Sequence, residues 1–209
     1  MLKRLSLVFA VVALAACGGI QAEDDAVDTV EAEELGSTES ALTQCGTSCP
    51  SGYYPQRYSC SFSCGSCSST TPNQVECFPN SGTFNQCGIS CPTGWHSTSY
   101  SCNFSCGGSC SSANPNQATC VPNSGTFTKC GSWCPDGWHA TSYSCNFSCG
   151  GSCSSANPNQ ATCVPDSGTF TKCGTWCPTG WRATSYSCNF SCGPSCSSAN
   201  PNQATCAPI

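Results

Sequence analysis

Charge is what this 209-residue chain has least of: 8% of its residues are Asp, Glu, Lys or Arg, and Lys and Arg together number six. From residue 45 onward the cations are Arg57, Lys129, Lys172 and Arg182, scattered far apart. Phosphate binding needs clustered Lys and Arg, so no nucleic-acid partner is expected. The same region holds three acids, Glu76, Asp136 and Asp166. Hydrolysis by a general acid and base needs a suitable pair of groups, and none is offered. We expect no enzymatic activity and no cofactor. The net charge of −5 arises elsewhere, because residues 18–44 carry eight of the eleven acids and no Lys, Arg or aromatic residue. Such a stretch cannot bury enough apolar area to offset its ordering entropy. It reads as a solvated spacer, or as a propeptide cut near Ala41-Leu42. Regular apolar periodicity is also scarce, which excludes a large hydrophobic core.

Cysteine is what the chain has instead. Its 25 cysteines divide as one plus four times six. The sets are Cys45, Cys49, Cys60, Cys64, Cys67, Cys77; Cys87, Cys91, Cys102, Cys106, Cys110, Cys120; Cys130, Cys134, Cys145, Cys149, Cys153, Cys163; and Cys173, Cys177, Cys188, Cys192, Cys196, Cys206. They mark four repeats, at residues 43–84, 85–127, 128–170 and 171–209. Copies two to four share the spacing C-x3-C-x10-C-x3-C-x3-C-x9-C, and the first lacks one residue between Cys64 and Cys67. Six per repeat is even, so each repeat closes on itself with three disulfides, in one of 15 pairings that sequence leaves open. Each bridge contributes about 2–4 kcal/mol, which replaces a missing core. Zinc or copper thiolate modules are the rival reading of the Cys-x3-Cys clusters.

The fold class expected is small and disulfide-rich, built of β-hairpins and loops in four tandem six-cysteine modules. Pro135-Asp136-Gly137 recurs as Pro50-Ser51-Gly52, Pro92-Thr93-Gly94 and Pro178-Thr179-Gly180, a turn signal in every copy. Asn157-Pro158-Asn159 and Asp166-Ser167-Gly168 mark two further turns. Between them, Ala140–Cys149 reads as a strand. Its period of two puts Thr141, Tyr143, Cys145, Phe147 and Cys149 on one face, and Ala140, Ser142, Ser144, Asn146 and Ser148 on the other. A second strand is predicted over Gln160–Val164. The modules are expected to be self-sufficient beads, unlike solenoid repeats that share cores. Asp166 is expected to bond local backbone in its turn. A catalytic or ligand role for His96 and His139 is not expected, since copy four has Arg182 at their place. Asn103-Phe104-Ser105 and its counterparts at 146–148 and 189–191 match the N-glycan acceptor pattern and read as strand residues.

The candidate ligand-binding residues are aromatic. An aromatic follows each Pro-x-Gly turn: Tyr53, Trp95, Trp138 and Trp181. On an unbroken strand Trp138 lies on the Ser-rich face, opposite Tyr143 and Phe147. A flat ring beside small polar side chains stacks on a sugar face while hydroxyls bond nearby. The alternative is a ring packed over a disulfide or turned inward by a bulge. Trp133 and Trp176 occur in the last two copies only, where the first two have Ser48 and Ser90. They either extend such a platform or pack between modules.

Two resemblances add to this. Lys3-Arg4, an apolar run and Leu14-Ala15-Ala16-Cys17 have the layout of a secretory signal, and the last four residues resemble the lipobox of bacterial lipoproteins. That resemblance implies removal of residues 1–16, lipid on Cys17, and a membrane as partner through that lipid, since two or more acyl chains anchor stably. The product is then an outer-membrane or cell-surface lipoprotein, or a secreted protein if also cut near Leu42. An ordinary signal cut after Ala15 is the other reading. Cys45, Cys49, Pro50, Gly52 and Tyr53 and their counterparts loosely resemble furin-like and receptor-type extracellular cysteine-rich modules. The likeness ends there, because the later cysteine spacing departs from those families. Together these features lead to the expectation of a non-enzymatic array that binds an extracellular polysaccharide or a cell-surface protein. A ligand-free coat or spacer is the second reading, and a secreted toxin or protease inhibitor the third.

Overall fold

Four copies of one three-stranded antiparallel sheet account for the regular structure of the computed structural model, which describes residues 40–209. The first sheet is formed by β1 (Leu42–Cys45), β2 (Tyr53–Ser59) and β3 (Gln74–Pro79), and the second by β4 (Phe84–Cys87), β5 (Trp95–Ser101) and β6 (Gln117–Pro122). The third has β7 (Phe127–Cys130), β8 (Trp138–Ser144) and β9 (Gln160–Pro165), and the fourth β10 (Phe170–Cys173), β11 (Trp181–Ser187) and β12 (Gln203–Pro208). In each, the last strand lies in the centre and pairs with both others. The lipobox, Cys17 and most of the acidic spacer lie outside the described residues.

The expected small disulfide-rich fold is therefore what the chain adopts. Of the 15 possible pairings, every module uses the same one: first with fourth, second with sixth, third with fifth. In the third module these are Cys130–Cys149, Cys134–Cys163 and Cys145–Cys153. The counterparts are Cys45–Cys64, Cys49–Cys77 and Cys60–Cys67; Cys87–Cys106, Cys91–Cys120 and Cys102–Cys110; and Cys173–Cys192, Cys177–Cys206 and Cys188–Cys196. Every described cysteine sulfur is thereby bonded to another, so none is a thiolate for zinc or copper.

The Pro-x-Gly turn works as its residues suggest. The Trp138 amide donates to the Pro135 carbonyl at 3.1 Å, and Gly137 takes a φ of 84°. That positive φ at the third turn position is why glycine stands there.

The strand that follows differs from the expectation in two ways. It stops at Ser144, and Phe147–Cys149 winds into a 3-10 turn. It also carries a bulge: Ala140 faces Cys163 while Ser142 faces Thr162, so Thr141 is an extra residue. An extra residue inverts the alternation beyond it. Trp138, Ala140 and Tyr143 thus oppose Pro165, Cys163 and Ala161 and share the core face. Trp138 is not opposite Tyr143. Ser142 and Ser144 keep the other face, where their hydroxyls donate to Thr162 and Gln160 at 3.0 Å. The predicted strand at 160–164 is present, one residue longer, as β9.

With each module taken as one sheet and its disulfides, Phe84, Phe127 and Phe170 open modules two, three and four rather than closing the repeat before, and the modules are not self-sufficient beads. Disulfides close within a module, but packing crosses from each to the next. Ala140, Ala161 and Cys163 of the third module cluster with Cys173 and Cys192 of the fourth. Tyr54 and Phe78 of the first cluster with Phe84, Ala118 and Cys120 of the second. Gly150, at a φ of 67°, closes the third module's 3-10 turn so near its neighbour that a Cβ there would lie 3.0 Å from the Pro115 ring. Stacking buries part of one face of each of the first three sheets, whereas in the fourth Tyr186, the counterpart of Tyr143, stays 55% exposed.

Candidate functional site

The joints explain several of the residues singled out by sequence. Tyr54, His96 and His139 occupy one place, the second residue of β2, β5 and β8, and all three are buried. Each ring stacks on a phenylalanine that opens the next module. The pairs are Tyr54 on Phe84 at 4.0 Å, His96 on Phe127 at 3.9 Å and His139 on Phe170 at 3.9 Å. His96 Nδ1 meets Asn123 Oδ1 at 3.0 Å, and His139 Nδ1 meets Asp166 Oδ1 at 2.8 Å. Asp166 thus bonds a buried histidine as well as using its amide, which donates to the Gly137 carbonyl at 2.8 Å. Burial pushes the His96 pKa below 6.5, with nearby Lys129 adding to the fall and the Asn123 bond opposing it. Arg182, at the same place in the fourth module, is exposed.

The turn tryptophans belong to the same assembly. Trp95, Trp138 and Trp181 are half-buried, and each packs at a tilt against its own module's Phe84, Phe127 or Phe170, with centroids 5.6 to 5.8 Å apart. Each indole Nε1 donates at 2.9 Å to a linker carbonyl, of Gly82, Gly125 or Gly168. Every such ring therefore staples the linker entering its module. Tyr53 is half-buried at the start of β2.

The rings left in solvent are others. Trp133 and Trp176 are each 84% exposed, just before the second cysteine of modules three and four. Phe62, Phe104, Phe147 and Phe190 are 75 to 88% exposed, one per module, at the start of the 3-10 turn. The sequence reading continued the strand through Phe147, on the face of Tyr143 and the cysteines. The available signal was Asn146, whose side chain accepts the Ser148 amide at 2.9 Å and caps a turn.

A dense polar knot holds the phenylalanine turn in modules two to four, and module one keeps its Asn73 half but has Ser61 with no side-chain cap. In module two, Asn103 Oδ1 accepts the Ser105 amide at 2.9 Å and caps the turn. Asn116 Oδ1 accepts the Asn103 amide at 2.8 Å, while Asn116 Nδ2 donates to the carbonyls of Asn103 and Gly107 at 3.0 Å. Modules three and four repeat this with Asn146 and Asn159, and with Asn189 and Asn202. The Asn-Phe-Ser asparagines are thus turn caps just beyond the strands. Disulfides brace both sides of the turn, at Cys102 and Cys106.

The two half-buried lysines lie beside the exposed tryptophans. Lys172 Nζ donates to the carbonyls of Cys173 at 2.9 Å and Trp176 at 2.8 Å. Desolvation lowers its pKa, and Asp166 partly restores it. Lys129 Nζ donates to the Cys130 carbonyl at 2.6 Å, and desolvation lowers its pKa too. Compared with protein-family models, curated proteins and solved structures, the chain matches none significantly.

Proposed function

We propose that this is an exported, non-enzymatic protein, held at the cell surface by lipid on Cys17, whose stapled modules bind an extracellular polysaccharide multivalently. The observation that carries the reading is the recurrence of one exposed phenylalanine per module on a turn braced by two disulfides and an asparagine knot. These rings are 75 to 88% exposed, even though the turns at Phe104, Phe147 and Phe190 lie against β2, β5 and β8 of the preceding sheet, and exposed rings repeated at one place mark a contact surface. Weak single contacts joined in one chain gain strength by effective concentration. Twelve disulfides suit the oxidising side of a membrane.

The test is retention of the oxidised chain on insoluble chitin, cellulose and peptidoglycan. A variant with Phe62, Phe104, Phe147 and Phe190 changed to Ser is run beside it. Those rings are exposed, so the variant folds. Retention that the variant loses supports the proposal, and equal behaviour of the two refutes it. The spacer or coat reading is favoured by a different observation: the turn tryptophans are committed to packing and to the linkers.

A further inference from the structure

Comparing the four copies isolates a second feature, carried by the last two alone. Before the first and second cysteines, modules one and two have Gln44 with Ser48 and Gln86 with Ser90, whereas modules three and four have Lys129 with Trp133 and Lys172 with Trp176. The first member of the pair has a structural task. Gln44 Nε2 donates to the Ser48 carbonyl at 2.5 Å, Gln86 Nε2 does the same to Ser90, and Lys172 Nζ reaches the Trp176 carbonyl. Gln and Ser therefore suffice to close this loop. The exchange to Lys and Trp adds an ammonium and a large exposed ring that the loop does not need.

The exchange has its full effect at one joint. Between modules three and four lies a groove of about 220 Å³ lined by Trp133, Trp176, Lys172 and Tyr143 among others. The corresponding groove between modules two and three, about 320 Å³, is lined by Trp133 and Lys129 together with Ile89 and Ser90. Only the first of these grooves is lined by two exposed indoles. An ammonium has three donors, and carbonyls take two of those of Lys172, which leaves one for a ligand.

We propose that this groove binds a segment of a neutral polysaccharide. Trp133 and Trp176 stack on the flat apolar faces of its pyranose rings, and the free N–H of Lys172 meets a ring substituent oxygen. Neutrality follows from charge: four cations against three acids from residue 45 onward give no field to hold a polyanion. This inference rests on the polysaccharide reading above and narrows it to one joint and one ligand class.

The experiment titrates the oxidised full chain with soluble chitohexaose and cellohexaose, read by tryptophan fluorescence and calorimetry. Two variants accompany it. One carries Trp133→Ala and Trp176→Ala, both at exposed positions that leave the fold intact. The other carries Gln86→Lys and Ser90→Trp, which gives the groove between modules two and three a second exposed indole beside Trp133. The expected results are one site in the wild type, a loss of roughly tenfold or more in the first variant, and two sites in the second. Unchanged affinity in the tryptophan variant overturns the inference, and so does absence of oligosaccharide binding by the wild type. If the tryptophan variant binds as wild type while the four-phenylalanine variant loses retention on insoluble polysaccharide, this groove falls and the array reading stands. If the wild type is not retained on insoluble material either, both fall.

Discussion

His139 of the third module lies flat on Phe170 of the fourth, with ring centroids 3.9 Å apart, while its Nδ1 meets Asp166 at 2.8 Å. One side chain thus joins two modules by stacking and satisfies a buried carboxylate. The side chains of His139 and Asp166 are only 2% and 5% exposed. His139→Ala removes the stack and leaves the buried Asp166 side chain without its hydrogen-bond partner, a loss of about 1–3 kcal/mol for the unsatisfied group alone. Asp166→Asn reproduces the His96–Asn123 pair of the preceding joint and is expected to cost far less. Hydrogen exchange resolved by peptide checks this: β8, β10 and the fourth 3-10 turn lose protection in the first variant and keep it in the second.

The joint between modules two and three is expected to weaken in acid. The folded pKa of His96 lies below 6.5 because burial disfavours its charged form. The unfolded chain therefore binds more protons between the two values, and stability rises with pH there. The contribution is fully present above about 6.5 and is lost as pH falls through the folded value. His96→Tyr installs the ring that Tyr54 supplies at the first joint and removes this dependence. Melting temperature between pH 4 and 8, as the difference between wild type and variant, tests it. A difference that does not change with pH contradicts it.

The three bridges of a module are expected to contribute unequally. The Cys91–Cys120 bridge spans 29 residues and the Cys102–Cys110 bridge spans 8. Loop entropy alone puts their removal at about 3.5 and about 2.5 kcal/mol. Cys120 is also fully buried, so replacing it with Ser adds an unsatisfied hydroxyl to the first loss. Denaturant titration of the two double Ser variants gives the order. Mass mapping of a non-reduced digest gives the pairing, expected as first–fourth, second–sixth and third–fifth.

The asparagine knot is expected to govern the exposed phenylalanines. Asn116→Ala strips partners from the amide of Asn103 and from the carbonyls of Asn103 and Gly107. The cost is about 1–3 kcal/mol, confined to one turn. Asn116→Asp keeps the acceptor and loses both donations, so it also destabilises. NMR of the Phe104 ring and the Ser105 amide distinguishes a held turn from a loosened one.

The division into six-cysteine modules, the Pro-x-Gly turn and the strand at Gln160–Pro165 were legible because each is written within one repeat. Three things were not. The bulge at Thr141 replaces no residue type and leaves no local mark, yet it moves Tyr143 to the face of Trp138. The strand Phe127–Cys130 is four residues with too short an alternation to register. The stacks of His96 on Phe127 and His139 on Phe170 join residues of different sheets, so reading one repeat at a time ended repeats two and three at Phe127 and Phe170, which in fact open the next sheet. The same limitation applies to the groove: Trp133 and Trp176 were visible as candidates, but the groove they line lies where two modules meet.

Retention on chitin, cellulose and peptidoglycan, compared between the oxidised chain and the same chain reduced and alkylated, tests the account most directly. The expected result is retention of the oxidised form on at least one of these and its loss on reduction, because the exposed rings act together only while disulfides hold their turns. Equal retention of both forms, or none by either, would contradict a folded multivalent binding surface.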